Sequence, residues 1–315
     1  MPRRNLINLA AVLLSLMFSF ALLAQWPAFP TPGAPKLADG QPDVNGPAPV
    51  TADGKPDFSG VWSDGSPGEP GGEKGKGKGP GGPGGPGGKD KGPPPDGKQG
   101  KGKGPDGKGK GPPPLAAGGI PPGGFLNMGA SMPGGLPYQE SALKLRDQRL
   151  ARNSADHPDA HCLPLNPVQL WFHPQPRKLI QTTREIVLLA EANSGTRQIF
   201  TDGRALPNKD DVQPWWYGYS VGKWDGDTLV VESTGFLDEG WIDEQGSPLS
   251  NAAKVTERIR RPNYGTLQIE ITVNDPKTYT KPWTVTANQR LMADDELIEF
   301  VCGENNTGLR HLVAK

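Results

Sequence analysis

From Lys178 onward the apolar residues fall at every second position or in short unbroken runs, the periodicity of strands rather than helices. Residues 178–181 and 185–191 read as a strand pair, the second built on Ile186-Val187-Leu188-Leu189, a run suited to a buried position. A strand over 196–200 follows, ended by Asp202-Gly203. Residues 219–224 and 228–233 flank Asp225-Gly226, the dipeptide of a type I′ hairpin. Residues 254–261 and 266–274 predict a second hairpin around Pro262-Asn263-Tyr264-Gly265, and 283–291 with 296–302 a third. Upstream, 138–152 predicts one short helix, with Leu143, Leu145 and Leu150 among helix-favouring residues and a stop at Asn153-Ser154. Closely spaced hairpins with almost no helix between them predict a mainly β domain, an antiparallel meander forming a barrel, with a β-sandwich as the alternative.

Strand faces single out one carboxylate. In 266–274, Leu267, Ile269, Ile271 and Val273 share a face opposite Gln268, Glu270 and Thr272. The partner strand matches only if Val255, Glu257 and Ile259 point inward and Thr256, Arg258 and Arg260 outward. An inward Glu257 must pair with a cation or hold a raised pKa, and either state suits a ligand contact or a general acid/base. A structural ion pair with Arg197 or Arg290, or a bulge that turns Glu257 to solvent, are the alternatives. Aromatic residues gather around the Asp-Gly hairpin: Trp215, Trp216, Tyr217, Tyr219 and Trp224, joined later by Trp241 and Trp283. At a barrel mouth they would bind an apolar, sugar-like or ring-bearing ligand; elsewhere they cover a core. The candidate ligand-binding residues are therefore Glu257, Arg197, Arg258, Tyr219, Trp224 and Trp283.

Composition redraws the domain limits. The 44 Gly and 36 Pro lie mostly in the first half, so the foldable part is smaller than 315 residues suggest. Residues 65–135 form a Gly/Pro/Lys-rich linker with almost nothing to seed a core, expected to be disordered. Ten Lys against three Asp between Lys74 and Lys110 would attract anionic envelope polymers or lipids. No aromatics interleave for base stacking, so no nucleic-acid partner is expected. Residues 25–64 are a turn-rich arm with a duplicated element: Ala38-Asp39-Gly40-Gln41-Pro42-Asp43-Val44-Asn45-Gly46 recurs as Ala52-Asp53-Gly54-Lys55-Pro56-Asp57-Phe58-Ser59-Gly60. The second copy runs into Val61-Trp62, which either anchors in the later domain or stays with a solvated arm. Arg3-Arg4 and the apolar run Leu6 to Ala24 mark an export signal at 1–24, cleaved or retained as an inner-membrane anchor over 6–24. The globular domain is thus expected over 136–315, in the periplasm or outside the cell.

The only cysteines, Cys162 and Cys302, lie beyond that signal, and in an oxidising compartment a disulfide is the simplest reading. His157 and His161 stand four residues apart beside Asp156, Asp159 and Cys162, but Pro158 breaks any helix that would align them, so no metal is expected. The folded part carries no nucleophile elbow, phosphate-cradling loop, His-Glu-x-x-His or dinucleotide fingerprint, and no cofactor is expected. His157, His161, His173 and His311 are too scattered to suggest histidine catalysis.

From Asp57-Phe58-Ser59-Gly60-Val61-Trp62 to the end, leaving out the linker, the chain resembles an uncharacterised family of secreted proteins abundant in acidobacteria and related soil bacteria. The resemblance is carried by Cys162-Leu163-Pro164, Arg197-Gln198-Ile199-Phe200, Asp202-Gly203-Arg204, Gly218-Tyr219-Ser220-Val221-Gly222-Lys223-Trp224 and Gly226-Asp227-Thr228-Leu229-Val230-Val231-Glu232. Thr256-Glu257-Arg258, Asp275-Pro276-Lys277, Tyr279-Thr280-Lys281-Pro282-Trp283 and Glu299-Phe300-Val301-Cys302 add to it. It implies an envelope location and a shared Cys pair, and it brings no activity with it. Relatives tend to have Pro-His-Ser where this chain has Pro248-Leu249-Ser250, so any chemistry done by that His would be lacking here. The expectation is an exported, non-catalytic β-domain that binds a small apolar or amphipathic ligand. A hydrolase- or isomerase-type enzyme using Glu257 with an Arg is the alternative, and a structural or adhesive envelope protein the second.

Overall fold

A computed structural model describes residues 30–64, 124–238 and 240–304. The expected export signal, the linker up to 123 and His311 lie outside the described residues. The strands are β1 (Gly60–Ser63), β2 (Arg177–Gln181), β3 (Glu185–Ala190), β4 (Thr196–Phe200), β5 (Tyr219–Asp225), β6 (Thr228–Thr234), β7 (Gly240–Trp241), β8 (Pro248–Leu249), β9 (Lys254–Asn263), β10 (Thr266–Asn274) and β11 (Trp283–Leu291). Helix α1 (Glu140–Ala151) precedes the one-turn α2 (Pro167–Leu170). Nine strands close a barrel in the order β1-β11-β10-β9-β6-β5-β4-β3-β2, while β7 and β8 pair separately.

Period-two alternation is realised as expected on β9 and β10, where Val255, Glu257, Ile259, Leu267, Ile269, Ile271 and Val273 are all buried. The β5–β6 loop differs from the expected type I′ turn. Asp225 pairs with Thr228, so the loop is Gly226-Asp227, and Gly226 alone has positive φ (59°), the type II′ pattern. The meander also contains one parallel step. A crossover over 201–218 brings β5 alongside β4 in the same direction, joined only at Ile199–Ser220 and Phe200–Val221.

The third expected hairpin does not form. After β11 the chain reaches Cys302 without strand structure, leaving Ile298, Phe300 and Val301 exposed. The place beside β11 goes to β1, which pairs with β11 on one side and β2 on the other and so closes the barrel. Phe58 and Trp62 are fully buried, and these two rings bring more apolar area inward than Ile298 and Phe300, the pair that would share a face of the expected strand. Both copies of the duplicated element fold alike. Leu37 N–H donates to the Gln41 carbonyl and Thr51 N–H to that of Lys55, each at 2.8 Å; Asp43 and Asp57 donate back to Pro35 and Pro49. The first copy is strapped to the β9–β10 turn by Tyr264 N–H on the Gly46 carbonyl (2.8 Å) and Gly265 N–H on that of Val44 (2.7 Å). Arg261, buried, lies over the Trp62 and Tyr264 rings and donates to the Asp57 carbonyl. The arm is therefore part of the folded domain. The linker likewise ends before 135: from Gly124 the chain is described, with Met128 and Leu136 buried.

Cys162 and Cys302 form a disulfide with Cα atoms 5.5 Å apart across 140 residues of chain. It fixes the strandless C-terminal stretch near α2. Replacing both cysteines by Ala should lower stability by about 2–4 kcal/mol, because the cross-link removes loop entropy from the unfolded chain. Urea unfolding of the double variant checks this, and an unchanged midpoint would show the clasp to be dispensable.

Candidate functional site

The barrel interior is filled with side chains, and two polar groups of residues run through it. Arg197 on β4 faces Glu257 on β9 as a two-pronged ion pair: Nη1 donates to Oε1 at 2.9 Å and Nη2 to Oε2. Glu257 Oε1 also accepts from Trp171 Nε1 at 2.5 Å. Arg197 donates further to Ser220 Oγ and Ser233 Oγ, both 3.1 Å from Nη2, and the two hydroxyls lie 2.8 Å apart. Glu257 has no solvent exposure. This is the structural ion pair that strand alternation allowed, and its oxygens are already occupied. Trp171 links the pair to the second group, since its carbonyl accepts from Arg177 (3.0 Å) and Gln289 (2.9 Å). Sequence reading assigned no element to 163–176. The signal was present: Asn166 caps α2 by accepting from Val168 and Gln169 N–H, Pro167 opens it, and an apolar run follows.

Where β4 and β5 meet at only two residue pairs, the strands splay and a cleft of about 410 Å³ opens on the barrel side. Phe200, Trp215, Trp216, Tyr217 and Tyr219 wall it, and Arg197 and Ser220 also line it. Phe200 and Tyr219 lie 5.4 Å apart at 35°, and Tyr219 and Trp215 6.2 Å apart at 34°, so three rings form a gently folded shelf. Trp215 is 48 % exposed. It is held by its N–H on the Gly235 carbonyl (2.9 Å), and its own carbonyl accepts from Leu237 N–H (3.1 Å). Gly218, at φ 64°, sits between Tyr217 and Tyr219; a Cβ there would lie 2.6 Å from Phe236 and 2.7 Å from the Thr234 carbonyl, so no larger residue fits. Tyr217 turns inward beside Arg197 and is 9 % exposed, and its Oη finds no hydrogen-bond partner among the described residues. Burial pushes its pKa up to about 12, with Arg197 opposing, so the hydroxyl keeps its proton at neutral pH. A buried hydroxyl left unpaired costs about 1–3 kcal/mol. The hydroxyl is closed off from solvent against Gly195, where no Cβ would fit.

Of the residues singled out by sequence, Arg197 and Tyr219 line the cleft, and Glu257 lies beneath it as the counter-ion of Arg197. The other three are elsewhere. Arg258 points outward and pairs with Asp225 at 3.1 Å, as its place on the polar face of β9 requires. Trp224 packs on Phe58 with ring centroids 5.3 Å apart, and Trp283 is buried edge-on against Tyr279. Shared density along the sequence around the hairpin did not translate into one aromatic surface. Tyr217 and Trp215 were visible only as members of that cluster; nothing local distinguishes the ring that loses its hydroxyl partner.

A separate buried cluster surrounds His157. Its Nε2 lies 3.2 Å from Glu244 Oε1 and 2.9 Å from Gln169 Nε2, and its Nδ1 accepts from Asp159 N–H. His161 turns instead to the Ala155 carbonyl (2.7 Å), and Cys162 is spent in the disulfide. Among the described residues no three His, Cys, Asp or Glu side chains are arranged to hold a metal. Desolvation lowers the His157 pKa to about 4 and, aided by Asp159 and Asp243, raises that of Glu244 to about 7. A raised carboxyl pKa gives stability that is present below the unfolded value of 4.5 and is lost as pH climbs through 7. The Glu244→Gln variant should therefore gain on the parent in melting temperature at pH 8 relative to pH 5. Thermal unfolding at both values decides it, and an equal difference at each would show that Glu244 titrates normally.

No protein-family model, curated protein or solved structure matches the chain. The reading of the site accordingly rests on its geometry.

Proposed function

We propose that the protein is an exported, non-catalytic β-barrel domain of the cell envelope that binds a small amphipathic ligand in the aromatic cleft between β4 and β5. The observation that carries this reading is the cleft itself, walled by Phe200, Trp215, Trp216, Tyr217 and Tyr219 where β4 and β5 part, with the Trp215 ring exposed. The barrel interior is filled with side chains, which supports a site at the cleft rather than in the lumen. The disulfide suits an oxidising compartment, in keeping with the expected export signal. No helix among the described residues is long and apolar enough to cross a membrane. The basic linker adds weak attraction to anionic envelope polymers or lipids. No observation favours the enzyme alternative: Glu257 is enclosed, and its oxygens are taken by Arg197 and Trp171.

Native mass spectrometry of the full chain purified from its own envelope should show an adduct that is released on denaturation. The Trp215→Ala variant, altered at an exposed ring, should fold normally and lose it. An adduct-free parent whose tryptophan fluorescence answers to no member of a ligand library would contradict the proposal.

A further inference from the structure

The cleft does not end at Trp216. On the far side of Trp216 and Leu237 lies a trough of about 750 Å³ beside α1, lined by Leu145, Arg149, Leu163 and Trp241 among others. Cleft and trough share Trp216 and Leu237, and a narrow recess touching Pro164 and Trp241 runs beneath the same two residues. Together they exceed the roughly 300–1,000 Å³ that encloses one compact ligand. An occupant that uses both must be elongated.

Charge selects its chemistry. Among the described residues Arg197 is the one charged side chain lining the cleft, and Glu257 neutralises it in a two-pronged pair; Arg204, which lies over the Phe200 ring and donates to Tyr219 Oη, pairs with Asp202. Along the trough, among the described residues, Arg152 pairs with Asp156 at 2.6 Å and Asp238 with Lys277 at 2.6 Å. Arg149 lies over the Trp241 ring, 4.4 Å from its centroid, and donates to the Gly246 carbonyl at 3.0 Å. Among the described residues these pairings favour a neutral chain over a strongly charged one. What the cleft offers is a shelf of ring faces beside the exposed side chains of Ser194, Thr196 and Gln198. The faces of aromatic rings are electron-rich and attract the weakly positive C–H hydrogens that line one side of a sugar ring, while hydroxyl and amide groups pair with the sugar's edge. A peptide added to the free edge of β4 would instead call for separate pockets for alternate side chains, which a continuous shelf does not supply.

We propose that cleft and trough form one groove for a neutral glycan chain, with one ring stacked on the Trp215–Tyr219 shelf beside Tyr217 and further rings passing Trp216 into the trough. This rests on the cleft being the binding site proposed above, and it adds the ligand's class and length.

Isothermal titration of the full chain with neutral β-linked gluco-oligosaccharides of increasing length tests it, with oligogalacturonates of matching length as the charged control and an extended neutral peptide as the competing class. Affinity should rise by roughly tenfold or more from monosaccharide to tetrasaccharide, and the charged series should bind more weakly at every length. Leu163→Lys, altered at an exposed position in the trough alone, should remove the gain with length and leave monosaccharide binding unchanged; Trp215→Ala should weaken every length. Equal affinity at all lengths, or tighter binding of the charged series or of the peptide, would overturn the inference while leaving the cleft as a binding site. Failure of every glycan, with the co-purified adduct still lost in Trp215→Ala, would overturn the glycan class alone. Adduct retention by Trp215→Ala would remove the cleft reading, and the inference with it.

Discussion

Trp62→Ala should destabilise the protein by about 3–5 kcal/mol, the range for emptying a fully buried aromatic site. The indole is enclosed, donates through Nε1 to the Phe58 carbonyl at 3.0 Å, and lies under the Arg261 guanidinium. Its loss also weakens barrel closure, because β1 joins β11 to β2. Urea unfolding with tryptophan emission and far-ultraviolet circular dichroism in parallel measures the effect. Coincident transitions at a lower midpoint are expected; a shift below about 1 kcal/mol would mean that β1 is a surface attachment and not a barrel stave.

Glu257→Gln should cost a similar amount, about 3–5 kcal/mol, because it leaves the Arg197 charge buried without its counter-ion. The informative comparison is with the double change Arg197→Met and Glu257→Leu. Removing both charges avoids the desolvation penalty, so the double variant should be more stable than the single one, despite orphaning the Trp171 N–H and the two serine hydroxyls. Denaturant unfolding of the parent and the variants gives the coupling directly. A single variant as stable as the parent would show that the pair reaches solvent, and would reopen Glu257 as a group available to chemistry.

Strand periodicity made most of the barrel legible. The limits of β4, β10 and β11 follow from turn residues and alternation, and the inward direction of Glu257 follows from matching β9 to the apolar face of β10. Three features escaped because their causes are not local. β1 is four residues long, too short for a periodic signal, and pairs with partners more than a hundred positions away. The strand expected over 296–302 alternates well enough, but a competing segment with larger rings occupies its place. The parallel step between β4 and β5 depends on the path of the crossover, and that step opens the cleft. The aromatic cluster therefore pointed to the right loops without showing which rings share a surface. In helix α1, Leu143 and Leu150 are exposed while Arg149 is buried against Trp241, so its leucines signal helix but not orientation.

Hydrogen–deuterium exchange of the full chain, with and without the molecule that co-purifies with it, bears most directly on the binding site. Slowed exchange in peptides covering 194–200 and 214–220, with the outer face around Gln268 and Glu270 unchanged, is the expected result. Protection confined to other segments, or absent from both of these, would contradict the assignment of the β4–β5 cleft.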